Sequence, residues 1–140
     1  MSSSIDPKII IGFSDLIKQF YFYRNEDLQL LGVKLGHCKM LHLLSDHCGI
    51  NQQEIADLTA LSRSTISESL TEMVKEGYIE RRTSKEDRRL SLIYLTETGT
   101  EKAEIIRRLF DEFCDVCMRD FTEKEVKQFG YLLQKFRFHT

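Results

Sequence analysis

Proline occurs once in 140 residues, glycine seven times and tryptophan not at all. So few chain breakers exclude a turn-rich sandwich or barrel and leave room for long helices. Long hydrophobic runs are missing as well. Charged residues make up 30% of the chain and are mixed in sign, which excludes a membrane span and argues against wholesale disorder. An excess of one charge is also lacking: 20 Lys and Arg against 22 Asp and Glu leave a net −2. That balance rules out a chain that coats nucleic acid by bulk charge, while a local basic patch stays open. Residues 1–20 carry no basic leader and no small-residue cleavage site, and the run Ile9-Ile10-Ile11 is soon broken by Asp15 and Lys18. The expectation is a cytoplasmic protein whose four cysteines (Cys38, Cys48, Cys114 and Cys117) are mostly thiols.

What is present has helical spacing. Ile9, Ile10, Phe13, Leu16, Ile17 and Phe20 predict a helix from Pro7 to about Arg24, with Asp6 as its cap. Gly32 and Gly36 mark a loop, and a short helix follows from His37 to about Ser45. Asn51 with Glu54 predicts a capped helix through Ala60, and Ser62 opens a longer one to Glu76, closed by Gly77. From Tyr78 the period becomes that of strands: 78–83 and 90–96 pair as a hairpin whose tip is the polar run 84–89. Thr98-x-x-Glu101 and Thr122-x-x-Glu125 predict capping boxes for two last helices, ending near Arg119 and Arg137. Of the 14 Phe and Tyr, five lie in 13–23 and seven in 110–138. Rings loaded onto both ends predict terminal helices that pack together and bury their excess apolar surface in a homodimer, with a monomeric helical bundle as the alternative.

Residues 62–76 hold the first candidate site. Ile66, Leu70, Met73 and Val74 form one apolar face; Ser62, Arg63, Ser64, Thr65, Ser67, Glu68 and Thr71 form the opposite one. So many short hydroxyls depress helix propensity. They suit a helix pressed into a DNA major groove, where base edges and phosphates need partners at close range; a capped, solvated helix is the plain alternative. The hairpin adds weight to the DNA reading. Arg81, Arg82, Lys85, Arg88 and Arg89 against Glu86 and Asp87 give residues 81–89 a net +3 and leave −5 for the rest. Arginines inserted in a narrow minor groove meet enhanced negative potential. Asp87 would be wasteful on a pure phosphate patch, but as an ion-pair partner it can hold an arginine in one pose.

Leu61-Ser62-Arg63-Ser64-Thr65-Ile66-Ser67, Leu70 and Val74-Lys75-Glu76-Gly77-Tyr78-Ile79 resemble the recognition helix of MarR-type regulators. Arg81, Asp87-Arg88-Arg89 and Leu95-Thr96-x-x-Gly99 resemble that family's wing signature. The resemblance implies a mainly α winged helix-turn-helix with a two-stranded wing. Residues 1–36 and 100–140 would then form the dimerisation helices and 37–99 the DNA-binding domain. It further implies a homodimeric repressor or activator of transcription on double-stranded DNA, with a small-molecule or redox input. Asp87 and Arg89 correspond to the paired wing residues, and Ser62 to Glu68 to the base- and phosphate-contacting start of the helix. Two positions depart from the pattern: Gly36 stands where members often carry Pro or a polar cap, and Glu68 where a basic or neutral residue is common.

No enzyme constellation is present. His37 and His42 lie about 140° apart on a helix, and no phosphate loop or nucleophile elbow occurs. No cofactor is expected. Cys114 and Cys117 at i, i+3, with Cys38 and His42 at i, i+4, could offer a Cys₃His metal set or a thiol switch. A thiol- or metal-responsive regulator, and a winged-helix protein-interaction module without DNA binding, are therefore the competing readings. Cys48 is the expected exposed thiol. The resemblance also implies that the second helix meets the first and fifth; His42 is expected near a pocket at that junction, a place for a small aromatic acid or phenol as effector.

Overall fold

The computed structural model describes residues 5–136, without the side chains of Tyr21 and Arg24. Helix α1 spans Lys8–Leu31. The Asp6 carboxylate accepts from the Lys8 N–H at 3.0 Å, the expected N-terminal anchor. Its far end lies seven residues beyond the expected Arg24. The polar stretch Asn25-Glu26-Asp27 lies on the exposed side, and the stripe resumes with buried Leu31. Gly32 then stops the helix at φ 70°, a left-handed conformation open to glycine, with its N–H turned back to the carbonyls of Gln29 and Leu28.

Helix α2, Leu35–Asp46, starts earlier than expected and takes Gly36 into its first turn. Gly36 is thus a helical residue and not part of the loop. Asn51 caps α3 (Gln52–Leu58), its side chain accepting from the Glu54 N–H at 2.9 Å. This helix ends two residues before Ala60, because Thr59 turns to extended backbone while its hydroxyl donates to the Ile55 carbonyl. Ser62 caps α4 (Arg63–Lys75) by accepting from the Thr65 N–H, and Gly77 follows at φ 78°.

Ile66, Leu70 and Met73 of α4 are buried, and the helix packs on α2, α3 and the first strand. Val74, expected beside them, is 41% exposed. At about 100° per residue it sits near 80° from Ile66, at the margin of the apolar stripe. Each large apolar side chain withdrawn in this way contributes roughly 1.5–3 kcal/mol.

Strands β1 (Ile79–Thr83) and β2 (Ser91–Leu95) form an antiparallel hairpin in which Arg81 faces Ile93 and Glu80 faces Tyr94. A short bridge between Ile50 and Ile93 adds the loop after α2 to this sheet, a pairing the period-2 pattern does not announce. Helix α5 spans Glu97–Cys117, two residues short of the expected end. Its cap is Thr96 and not Thr98: the Thr96 hydroxyl oxygen accepts from the Gly99 N–H at 3.0 Å. Thr122 and Glu125 form the expected reciprocal capping box on α6 (Glu123–Lys135). The expected terminus at Arg137 and the ring of Phe138 lie outside the described residues.

Residues up to Arg108 form one compact unit and those from Leu109 a second. In the first, Leu41, Leu44, Ile55, Ile66, Leu70, Met73 and Ile93 make the core. In the second, α6 buries none of its residues, and Phe121 meets Phe129 edge to face at 5.9 Å. No helix of the described residues is long and apolar enough to cross a membrane. The architecture is mainly α with one two-stranded wing among the described residues.

Candidate nucleic-acid interface

Two adjacent features of the first unit carry the predicted residues: the exposed face of α4 and the hairpin. Ser62, Arg63, Ser64, Thr65, Ser67, Glu68 and Thr71 are all exposed. Their hydroxyls are organised locally. The Ser62 Oγ lies 3.1 Å from Ser64 Oγ and 2.8 Å from Thr65 Oγ1 while it caps the helix, and the Thr71 hydroxyl donates to the Ser67 carbonyl. The first turn thus presents a cluster of hydroxyls whose arrangement the cap sets.

Arg63 donates to the Gln53 Oε1 of α3 at 2.7 Å, and Arg81 on β1 donates to the Gln52 Oε1 at 3.0 Å. Neither glutamine stands out in the sequence, since α3 reads there as a support and not as part of the site.

The wing tip is built around Ser84, whose buried hydroxyl accepts from the N–H groups of Glu86 and Asp87 at 3.3 Å each. This turn fixes Asp87. Its carboxylate in turn accepts from the Arg89 N–H at 3.0 Å, from Arg89 Nε at 3.1 Å and from a terminal nitrogen at 3.2 Å. The Arg89 guanidinium holds the Asp87 carboxyl below the usual carboxylate range. The pairing is therefore present at neutral pH and lost as pH falls through that lowered value. Lys85 and Arg88 are exposed and have no hydrogen-bond or ion-pair partner among the described residues. Arg82 belongs to the strand instead. It pairs with Glu80 two residues back, on the same side of the strand, and lies 4.2 Å over the Tyr94 ring. That cation is neutralised where it stands, so the +3 read from the sequence overstates the charge offered by the hairpin.

The back of α4 is tied to α2 by a group that sequence reading assigned to no site. Buried His37 places Nε2 3.1 Å from Glu72 Oε2 and Nδ1 3.3 Å from Glu76 Oε2, and Lys34 donates to the same Glu72 oxygen at 3.0 Å. Lys34 keeps the Glu72 carboxyl below its ordinary value. Glu72 and Glu76, one turn apart, were the available sign of this clamp.

The other candidates separate. Among the described residues no three or more His, Cys, Asp or Glu are arranged to hold a metal ion, so Cys38, His42, Cys114 and Cys117 do not form such a group. Cys38 is buried and its thiol is pushed up to about 11 by that burial; Cys48 and Cys114 are exposed. At pH 8 a thiol reagent is expected to label Cys48 in the native protein and Cys38 only on unfolding. Equal labelling of all four would contradict this packing. His42 is half-buried on α2. It lines neither the cleft between α1 and α2 around Leu28 and Val33 nor the one between α2 and α5 around Ala103 and Arg107.

Comparison with known proteins agrees with this arrangement. The sequence profile of the MarR family matches residues 31–90. The HTH-type transcriptional regulator BilQ of Clostridium symbiosum is 29% identical over 118 residues, covering 84% of this chain and 82% of its own. The crystal structure of MarR superposes with a TM-score of 0.70 at 26% identity, over 96% of this chain and 90% of that one. The S. aureus MepR–DNA complex shares the fold with a TM-score of 0.77 at 22% identity, over 88% and 89% of the two chains. The profile covers the helix-turn-helix and most of the wing, and the likeness to MarR extends over both terminal helices. Residues 31–90 thus carry the sequence pattern of the MarR family, and the chain is similar over most of its length to winged helix-turn-helix regulators of that type.

Proposed function

We propose that this protein is a transcriptional regulator that binds duplex DNA as a homodimer, α4 entering the major groove and the wing lying along the backbone and minor groove. One observation carries the reading: the Arg89 side chain is 90% exposed, yet a single carboxylate holds it by two side-chain bonds and the backbone by a third. A solvated turn has no need to orient an arginine. A minor-groove anchor does. That relatives of this fold are transcriptional regulators, one of them crystallised on DNA, supports the same reading.

The DNA-contacting set is then Ser62, Arg63, Ser64, Thr65, Ser67, Glu68, Arg81, Asp87, Arg88 and Arg89, within a binding domain over 37–99. Residues 1–36 and 100–140 supply the dimer. The support is apolar surface left open on the terminal helices: Ile9, Ile10, Ile17 and Leu30 on α1, and Val126, Tyr131, Leu132 and Leu133 on α6. Repression relieved by a small aromatic acid or phenol is the form of control this reading favours. An apolar cleft of about 400 Å³ between α2 and the turn into α4, lined by Met40, Leu43 and Leu61, has the size for such a molecule. His42 lies on the same helix but does not line this cleft.

Sedimentation at micromolar concentration is expected to give twice the 16.5 kDa of one chain. Affinity for a selected duplex should fall steeply with salt, by about 0.9 in log–log slope for each phosphate neutralised. A single 16.5 kDa species would remove the dimer. A flat salt response would favour a protein-interaction module.

A further inference from the structure

We propose that Gln52 and Gln53 are positioning residues that aim Arg81 and Arg63 at DNA while leaving both arginine charges intact. The proposal rests on the reading of α4 and the hairpin as a DNA-binding surface.

Two side chains at the start of α3 reach two different elements. Gln52 Oε1 accepts from Arg81 on β1 at 3.0 Å, and Gln53 Oε1 accepts from Arg63 on α4 at 2.7 Å. The Gln53 amide is itself oriented: its Nε2 donates to Asp57 Oδ1 at 3.0 Å, one turn along α3. Asp57, Gln53 and Arg63 thus form a directed chain in which the amide oxygen has to face the guanidinium. Backbone capping by Asn51 anchors the helix end from which both glutamines project. Together with buried Ile66, the two glutamines and Arg63 line a notch of about 230 Å³ beside the N-terminal turn of α4.

The choice of an amide has a consequence. A carboxylate partner orients an arginine and cancels its charge, as Glu80 does for Arg82 on the neighbouring strand position. A neutral amide oxygen orients it and leaves the full charge for a phosphate or a guanine edge. Arg63 and Arg81 keep donors beyond the one bonded to glutamine. Both are therefore held ready before DNA arrives, which lowers the ordering cost of binding.

The probe is a duplex recovered by wild-type protein from a random-sequence pool, measured beside a scrambled duplex of equal length across a salt series. Gln52→Ala and Gln53→Ala are each expected to weaken binding to the selected duplex about two- to tenfold, the value of one net hydrogen bond. Binding to the scrambled duplex and the salt slope should stay unchanged. Arg63→Ala, in contrast, should reduce that slope by about 1. Gln53→Glu should weaken both duplexes and flatten the slope, since it neutralises Arg63 and faces Asp57. Alanine variants that bind both duplexes like wild type would overturn the proposal. So would a slope flattened by Gln→Ala, which would mean that the glutamines touch phosphate themselves. Recovery of no duplex by the wild type would instead remove the DNA-binding reading on which the proposal stands.

Discussion

Gly99→Ala is expected to destabilise the protein by about 3 kcal/mol or more, since forced overpacking costs 1–3 kcal/mol and the lost backbone bond adds about 1. Gly99 occupies the third position of α5, where a Cβ would fall 1.9 Å from the Tyr78 carbonyl oxygen and 2.8 Å from its carbon. That obstacle is backbone, so no rotamer change relieves it. The same carbonyl accepts from the Thr96 N–H at 3.0 Å, and the Thr96 hydroxyl spans from the Gly77 carbonyl to the Gly99 N–H. Pushing α5 away would open the base of the hairpin and uncap the helix together. In a domain of this size the melting temperature should drop by roughly 10 °C. Gly130→Ala is the control: it adds a methyl to the interior of α6 with nothing within 4 Å, and helix propensity alone favours it by up to about 1 kcal/mol. A Gly99→Ala protein melting with the wild type would contradict the close approach of α5 to Tyr78 at the foot of the hairpin.

The second large effect is on binding. Arg89→Ala should leave the melting temperature unchanged, because the side chain is 90% exposed, and weaken DNA binding by about 1–3 kcal/mol. Asp87→Ala separates two explanations of the same geometry. Removing a negative charge near DNA should tighten binding if charge were all that mattered. The carboxylate, however, receives Arg89 through three hydrogen bonds, so its loss frees the guanidinium and binding should weaken. Tighter binding by Asp87→Ala would show that the pair has no orienting role. Acid has a related effect. The Asp87 carboxyl is lowered by Arg89, so the pose should hold through neutral pH and dissolve only on acidification below the usual carboxylate range.

Signals of one residue type at one spacing were legible. Asn51, Ser62 and Thr122 each accept the backbone N–H that their spacing implies, and Gly77 ends α4 with positive φ. The wing tip was readable in part: composition marked Asp87 as a partner for an arginine, and the family resemblance named Arg89 as the one it holds. What spacing could not show depends on distant elements. Thr98 matches the capping pattern better than Thr96, yet contact with the Gly77 carbonyl puts the Thr96 hydroxyl at the helix start. His37 reads as a lone histidine until α4 brings Glu72 and Glu76 to its two nitrogens. Gln52 and Gln53 read as ordinary polar residues of a short helix, and only the fold sets them against Arg81 and Arg63. Gly32, not the polar run before it, ended α1, since exposed polar residues do not interrupt a helix whose apolar stripe continues.

Cleavage footprinting of the purified protein on a duplex recovered from a random-sequence pool tests the central claim most directly. Two protected half-sites related by a dyad are expected, their centres about one helical turn, ~10 bp, apart, as a two-fold homodimer requires. Protection should extend into the minor groove flanking each half-site where the wing lies, and Arg89→Ala should erase that flanking part. A footprint covering one asymmetric half-site, or no duplex retained at any salt concentration, would contradict the account.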